Sequence, residues 1–309
     1  MDFRPRQFVD RRSISVLTLT AACLAILICN ASSQELPELA GQIVGSEFVY
    51  AIKPGDTFTS IGSRYGVGPS VLAAANDMKV SARFKPGQVI QIDNRHIAPH
   101  ELEDGILVNV PQRMVFLFRN GKSVSAYPAA LGRPTWPTST GGFHVLELRE
   151  HPIWHVPASI QREMAMEGKV VKEVVPPGPD NPLGDYFVAL SIGGYGIHST
   201  SAPLSIYGFR THGCIRLHPD DAAALFDQVQ VGEPGLIIYA PVLMAGIDGG
   251  QIFLEVHRDV YKKCCPPIEA VHHLADFNNV ADMIDWKVAK EVAERRDGLA
   301  RDISLKREP

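Results

Sequence analysis

At 309 residues, with 45% hydrophobic and 21% charged side chains and a formal charge of −4, the chain has room for about two domains of roughly 150 residues each. An acidic chain lacks the electrostatic footprint of a nucleic-acid binder, so that class of partner is excluded.

At the N-terminus, Arg4, Arg6, Arg11 and Arg12 precede the apolar run "ISVLTLTAACLAILIC", and the small residues Ala31, Ser32 and Ser33 follow. This order over residues 1–33 reads as a secretory signal peptide, and the chain is expected to be exported. The apolar run falls short of the roughly 20 residues that a spanning helix needs, which disfavours the alternative of an uncleaved anchor. Ile28 before Cys29 and Thr20 upstream of Cys23 argue against lipid attachment. Once residues 1–33 are gone, only Cys214, Cys264 and Cys265 remain. Three cysteines, two of them adjacent, do not make a disulfide scaffold.

The stretch 47–93 opens with alternating Phe48, Tyr50 and Ile52 running into the turn Lys53-Pro54-Gly55, which predicts a strand. Asp56 is placed to cap a short helix with Phe58, Ile61 and Tyr65 on one face and Gly66 at its end; Val71, Leu72 and Ala75 mark a second helix, and "QVIQI" a closing strand. This β-α-α-β unit resembles a LysM domain across its whole length. The resemblance implies binding to N-acetylglucosamine-containing glycan, mainly peptidoglycan, in a groove at Pro54, Gly55, Asp56 and Thr57 with Pro69 at the approach to the second helix. A small spacer without glycan affinity is the alternative. Residues 94–104, "NRHIAPHELED", read as a short polar linker, so the first module is expected to act as a glycan anchor on a short tether.

From Gly105 the pattern changes. Apolar alternation flanks Arg119-Asn120-Gly121-Lys122, a hairpin signal. Proline and glycine then punctuate "GRPTWPTSTGGFHVLEL", "HPIWHVPASI" and "VVPPGPDNPLG", which leaves little room for long helices. Residues 105–240 are therefore expected to be mainly β. One helix is clear, "HPDDAAALFDQV", with Pro219 suited to its first position and Asp220 and Asp221 to its N-terminal dipole; "GLIIY" predicts a buried strand after it. The overall class is α+β: a small βααβ module followed by a mainly β domain with a helix after Cys214.

Cys214 lies among His198, His212 and His218. Three chemistries fit these residue types: a buried structural cysteine, a zinc site, or a thiol nucleophile. The spacing H-x-C-x-x-x-H matches no familiar zinc ligand set, and no Cys-x-x-Cys occurs. Gly213 directly before the thiol frees backbone N–H groups for a ligand. Spacing alone decides no further.

The segment "IHST…THGCIRL", with its sixteen-position gap between His198 and Cys214, resembles the signature of the L,D-transpeptidase catalytic domain of the YkuD type. The resemblance runs from about Ile106 to Tyr239. It implies that Cys214 is the nucleophile and His198 the general base, with Ser199 in the position that orients the imidazole. The backbone around Gly213 and Cys214 would receive the oxyanion, His212 would stand behind the reacting groups, and Arg216 is a candidate for a substrate carboxylate, an ion pair being its alternative. The donor implied is a tetrapeptide stem of peptidoglycan. The acceptor is an amine: a stem diamino acid, a lysine of an outer-membrane lipoprotein, or another protein. An L,D-carboxypeptidase and an inactive wall-binding protein are the rival readings. No metal or organic cofactor is expected, and the periplasm or cell envelope is the expected location. "STS" at 199–201 departs from the Gly-Thr-Asn of many relatives, and Thr211 replaces the commoner serine. A thiol with a pKa near 8.5 needs help, and a nearby imidazolium and helix N-terminus are expected to lower it.

Residues 241–309 begin with "GIDGGQIFLEVHRDVY", a further hairpin of the kind found in relatives resembling lipoprotein-attaching enzymes. An amphipathic helix is predicted in "VADMIDWKVAKEVAERRDGLARDI" from Met283, Ile284, Val288 and Val292. Cys264 and Cys265 could pair with each other, pair between molecules, or stay as free thiols.

Overall fold

The computed structural model describes residues 39–247 and 249–306. The signal-peptide reading of residues 1–33, with Cys23 and Cys29, lies outside the described residues. Among the described residues no helix is long and apolar enough to cross a membrane.

After β1 (Ile43–Val44) the first module runs β2 (Glu47–Ala51), α1 (Phe58–Tyr65), α2 (Pro69–Ala74) and β3 (Val89–Asp93). β2 and β3 pair antiparallel from Glu47 opposite Asp93 to Ala51 opposite Val89. Ile52, Phe58, Ile61, Leu72, Ile90 and Ile92 form its core. Thr57, rather than Asp56, caps α1: its side chain accepts from the Ser60 N–H while Ser60 Oγ accepts from the Thr57 N–H. Asp56 instead stabilises the preceding turn, where Oδ2 accepts from the Lys53 N–H at 2.8 Å and the Tyr50 hydroxyl at 2.9 Å. Gly66 ends α1 with a φ of 73°, the left-handed conformation that favours glycine.

The polar stretch 94–104 is not a free linker. His96–Ile97 forms β4, which pairs with β1, and His96, Ile97 and Ala98 are buried. Hydrophobic pattern failed here because the partners of these residues lie far along the chain.

The second domain carries β5 (Gly105–Asn109), β6 (Met114–Arg119), β7 (Lys122–Gly132), β8 (Gly141–Glu150), β9 (Trp154–His155), α3 (Ala158–Met166), β10 (Val174–Val175), β11 (Tyr186–Leu190), β12 (Gly196–His198), β13 (Phe209–Thr211), β14 (Ile215–Leu217), α4 (Pro219–Phe226) and β15 (Pro234–Ile238). Its large sheet runs β13-β7-β14-β12-β11-β8-β15-β5-β6, and β6 also pairs with β7. β7 therefore bridges β6 and β14 and closes the sheet on itself, with β13 added beside it. The Asn120-Gly121 turn has φ values of 53° and 70°, as a two-residue hairpin with two left-handed positions requires. Ile106, Val108, Val115, Leu117, Val145, Ile197, Ile215 and Leu225 fill the interior.

The C-terminal segment is a third layer. β16 (Val242–Ile247) and β17 (Gln251–Val256) form the expected hairpin, followed by α5 (Pro267–Phe277), α6 (Trp286–Arg295) and β18 (Arg301–Asp302). The predicted helix is shorter than its apolar pattern. Asp285 starts it by accepting from the Lys287 and Val288 N–H groups, and Ile284 instead bridges to Ser304. Leu299 from this segment completes the core of the first module. At the meeting point of all three parts, the buried Glu255 accepts from His96 Nδ1 at 2.8 Å, Gln112 Nε2 at 3.0 Å and His257 Nε2 at 2.7 Å. His96 Nε2 donates to the Gly66 carbonyl at 2.9 Å, so both of its ring nitrogens face acceptors.

Candidate active site

β12 and β14 run parallel, with Ile197 opposite Ile215 and His198 opposite Arg216. Side chains alternate across a strand. Ile197, Ile215 and Leu217 point into the core, so His198 and Arg216 share the other face, and Cys214 stands directly before Ile215 at the start of β14. Phe187, opposite His198 on β11, stacks on the imidazole with centroids 6.4 Å apart.

His198 Nδ1 lies 2.6 Å from the Ser199 carbonyl oxygen. A carbonyl only accepts, so Nδ1 carries the proton and Nε2 keeps its lone pair. Ser199 thus orients the imidazole through its backbone rather than its hydroxyl. Burial, aided by the Arg216 charge, lowers the His198 pKa to about 4. Cys214 retains partial exposure, yet burial pushes its thiol up, against the pull of a Gly196 backbone hydrogen bond and of Arg216. That direction is opposite to the lowering expected from an imidazolium and a helix N-terminus. α4 begins at Pro219, with β14 intervening between it and the thiol. Burial thus disfavours the charged form of both groups.

Gly213 has a φ of +110°, and a Cβ there would lie 2.4 Å from the Tyr195 ring. Only glycine fits. Its carbonyl accepts from Thr138 Oγ1 at 2.9 Å, and its N–H makes a long 3.3 Å contact to Thr211 Oγ1. Thr211 Oγ1 donates to the Cys214 carbonyl at 2.6 Å, which gives the threonine before His-Gly-Cys a physical task. Arg216 Nη1 donates to Ser205 Oγ at 2.9 Å, while Nε is buried without a partner.

His212 faces away from this cluster toward α3. Its Nε2 bonds the Glu163 carboxylate, Arg133 pairs with the same carboxylate, and the Trp136 ring meets the imidazole edge-on at 5.1 Å. Arg133 first and His212 second hold the Glu163 carboxyl below its usual range. α3 has no signature in the sequence, because this helix buries none of its side chains and so carries no apolar stripe.

In the first module, Pro54 and Gly55 form an exposed turn and Pro69 opens α2. Asp56 and Thr57 are occupied in holding that turn and the start of α1. Arg64 on α1 reaches α4, 2.9 Å from His218 Nδ1, 3.4 Å from Asp221 and 3.5 Å from Asp220. α1 also packs against the 3-10 turn Pro203–Ser205.

Residues 103–238 match the L,D-transpeptidase catalytic domain (YkuD) family, and residues 50–93 match the LysM domain. The probable L,D-transpeptidase ErfK/SrfK of Salmonella typhimurium is 33% identical over 290 residues, covering 90% of this chain and 93% of that protein. The probable L,D-transpeptidase YcfS of Escherichia coli is 28% identical over 308 residues, 94% of each chain. The probable L,D-transpeptidase YbiS of Escherichia coli is 31% identical over 256 residues, covering 80% and 83%.

Proposed function

Because the chain belongs to the L,D-transpeptidase family, we propose that Cys214 is the nucleophile of its acyl transfer, His198 the general base, and the LysM domain its hold on peptidoglycan glycan. The observation that carries this reading is an Nδ1-bonded imidazole on β12, paired in parallel with the strand that Cys214 directly precedes. The donor is a tetrapeptide stem. As sulfur attacks the carbonyl of the third residue, His198 Nε2 takes the thiol proton, then delivers it to the departing amine of D-alanine as the C–N bond breaks. A thioester on Cys214 remains. An amine attacks it, its proton passes through His198 to sulfur, and the thiol is regenerated.

The N–H groups of Gly213 and Cys214 receive the oxyanion. Arg216, with a buried guanidinium N–H in want of an acceptor, meets a carboxylate of the stem. The acceptor is the side-chain amine of a second stem's diamino acid or a lysine of a lipoprotein or other protein. The charged, apolar and small segments of residues 1–33 and the LysM match support an exported chain working in the periplasm or envelope.

The test is mass spectrometry of products from the purified chain with disaccharide-tetrapeptide, with and without an amine acceptor. Acceptor-dependent adducts with release of D-alanine are expected. Hydrolysis alone would make it a carboxypeptidase, and no product at all a wall-binding protein.

A further inference from the structure

Thr138 is wholly buried, and its Oγ1 both accepts from the Gly132 N–H at 3.0 Å and donates to the Gly213 carbonyl at 2.9 Å. Its backbone N–H donates to the Tyr261 hydroxyl at 3.1 Å, and that hydroxyl donates to the Gly132 carbonyl at 2.6 Å. One phenol thus ties both ends of the loop from Gly132 to Thr138. Tyr261 lies beyond the segment 103–238 that matches the catalytic family. Its ring stacks on Tyr239 at 5.5 Å and meets Phe209 edge-on at 5.8 Å. Its N–H donates to the Tyr239 hydroxyl at 2.8 Å, and that hydroxyl donates to Asp259.

A trans peptide unit is planar, so the carbonyl of Gly213 and the N–H of Cys214 point in opposite directions. Fixing the first aims the second. Glycine at positive φ leaves the plane of that peptide free to turn unless something holds it, and Thr138 is the hydroxyl that does. We infer that Thr138, itself held by Tyr261, is a positioning residue for the Cys214 N–H as oxyanion donor, which makes the C-terminal segment part of the catalytic apparatus. The inference rests on the proposed role of Cys214 as nucleophile.

The experiment compares two reactions of one thiol in the full chain carrying Thr138→Val, Thr138→Ser or Tyr261→Phe. Iodoacetamide alkylation, followed on the Cys214 peptide by mass spectrometry, forms the S–C bond as iodide leaves and passes through no oxyanion. Acylation by disaccharide-tetrapeptide does pass through one. Thr138→Val is expected to lower kcat for D-alanine release on the order of 100-fold, and Tyr261→Phe on the order of 10-fold, with KM unchanged. Thr138→Ser should restore turnover, and the alkylation rate should stay close to that of the parent in all three. Full kcat in the valine or phenylalanine variant would overturn the inference, as would alkylation falling in step with acylation. A parent enzyme that still releases D-alanine after complete alkylation of Cys214 would instead remove the thiol from the reaction and overturn the underlying reading.

Discussion

Ser205 Oγ accepts a hydrogen bond from Arg216 Nη1 at 2.9 Å, and the short turn that carries Ser205 packs against α1 of the LysM domain. The LysM domain is therefore packed against the turn that holds Arg216, not joined by a free tether. Ser205→Ala should free the guanidinium and raise KM for a tetrapeptide stem by about 10-fold, the value of one hydrogen bond to a charged group. Steady-state kinetics on a small soluble muropeptide checks this. A KM unchanged by the substitution would show that the contact does nothing for substrate.

The pH profile follows from the buried imidazole. As the proposed base, His198 has to be neutral to accept the thiol proton, and its pKa is lowered from the ordinary 6.5 to about 4. Protonation removes the base only as pH falls through about 4. The acid limb of kcat/KM should lie there, with no loss of rate around pH 6.5. An acid limb near 6.5 would mean that the imidazole is solvated in the working enzyme.

Glu255 holds the junction of the three parts. Burial would push its carboxyl up, yet the His96 and His257 imidazoles bring it down to about 2. A depressed carboxyl contributes stability that is full above its unfolded value and is lost as pH falls toward 2. Glu255→Gln keeps the volume and removes the charge. Breaking such a buried cluster costs about 3–5 kcal/mol, a fall in Tm on the order of 10 °C. Thermal unfolding followed by circular dichroism reads it, and an unchanged Tm would refute the role of this cluster.

Cys264 and Cys265 are exposed free thiols with sulfurs 3.9 Å apart. The loop is instead fixed through the backbone, where Asp259 accepts from the Lys263 and Cys264 N–H groups at 2.9 Å each. Replacing both cysteines by serine should leave kcat unchanged. Loss of turnover in that double variant would place chemistry at the wrong thiol.

Local chemistry was legible in the sequence wherever neighbours in the chain are neighbours in space. Asn120-Gly121, Gly66 and Pro219 each announce a turn, a helix end and a helix start by their backbone preferences alone. Thr57 outcompeted Asp56 as a cap because Ser60 could answer it and Asp56 had the Lys53 turn to satisfy. The proposed nucleophile and base were reachable only through motif resemblance, since the parallel pairing of β12 with β14 is invisible to spacing. What stayed hidden depends on long loops closing. His96 reads as polar linker until Glu255, 159 residues away, lies beside it. α5 begins at a Pro-Pro pair that reads as a loop, although Pro267 at a first helical position fits. Tyr261 reaches Gly132 across 129 residues, and no local pattern marks such a contact.

In the proposed reaction the sulfur of Cys214 carries the acyl group. The most direct test is to quench the full chain during turnover of disaccharide-tetrapeptide without acceptor and weigh its peptides. A thioester adduct, lacking the terminal D-alanine, is expected on the peptide that contains Cys214, with neither adduct nor D-alanine release in Cys214→Ala. Continued D-alanine release by Cys214→Ala, or an adduct on the Cys264 and Cys265 peptide alone, would contradict it.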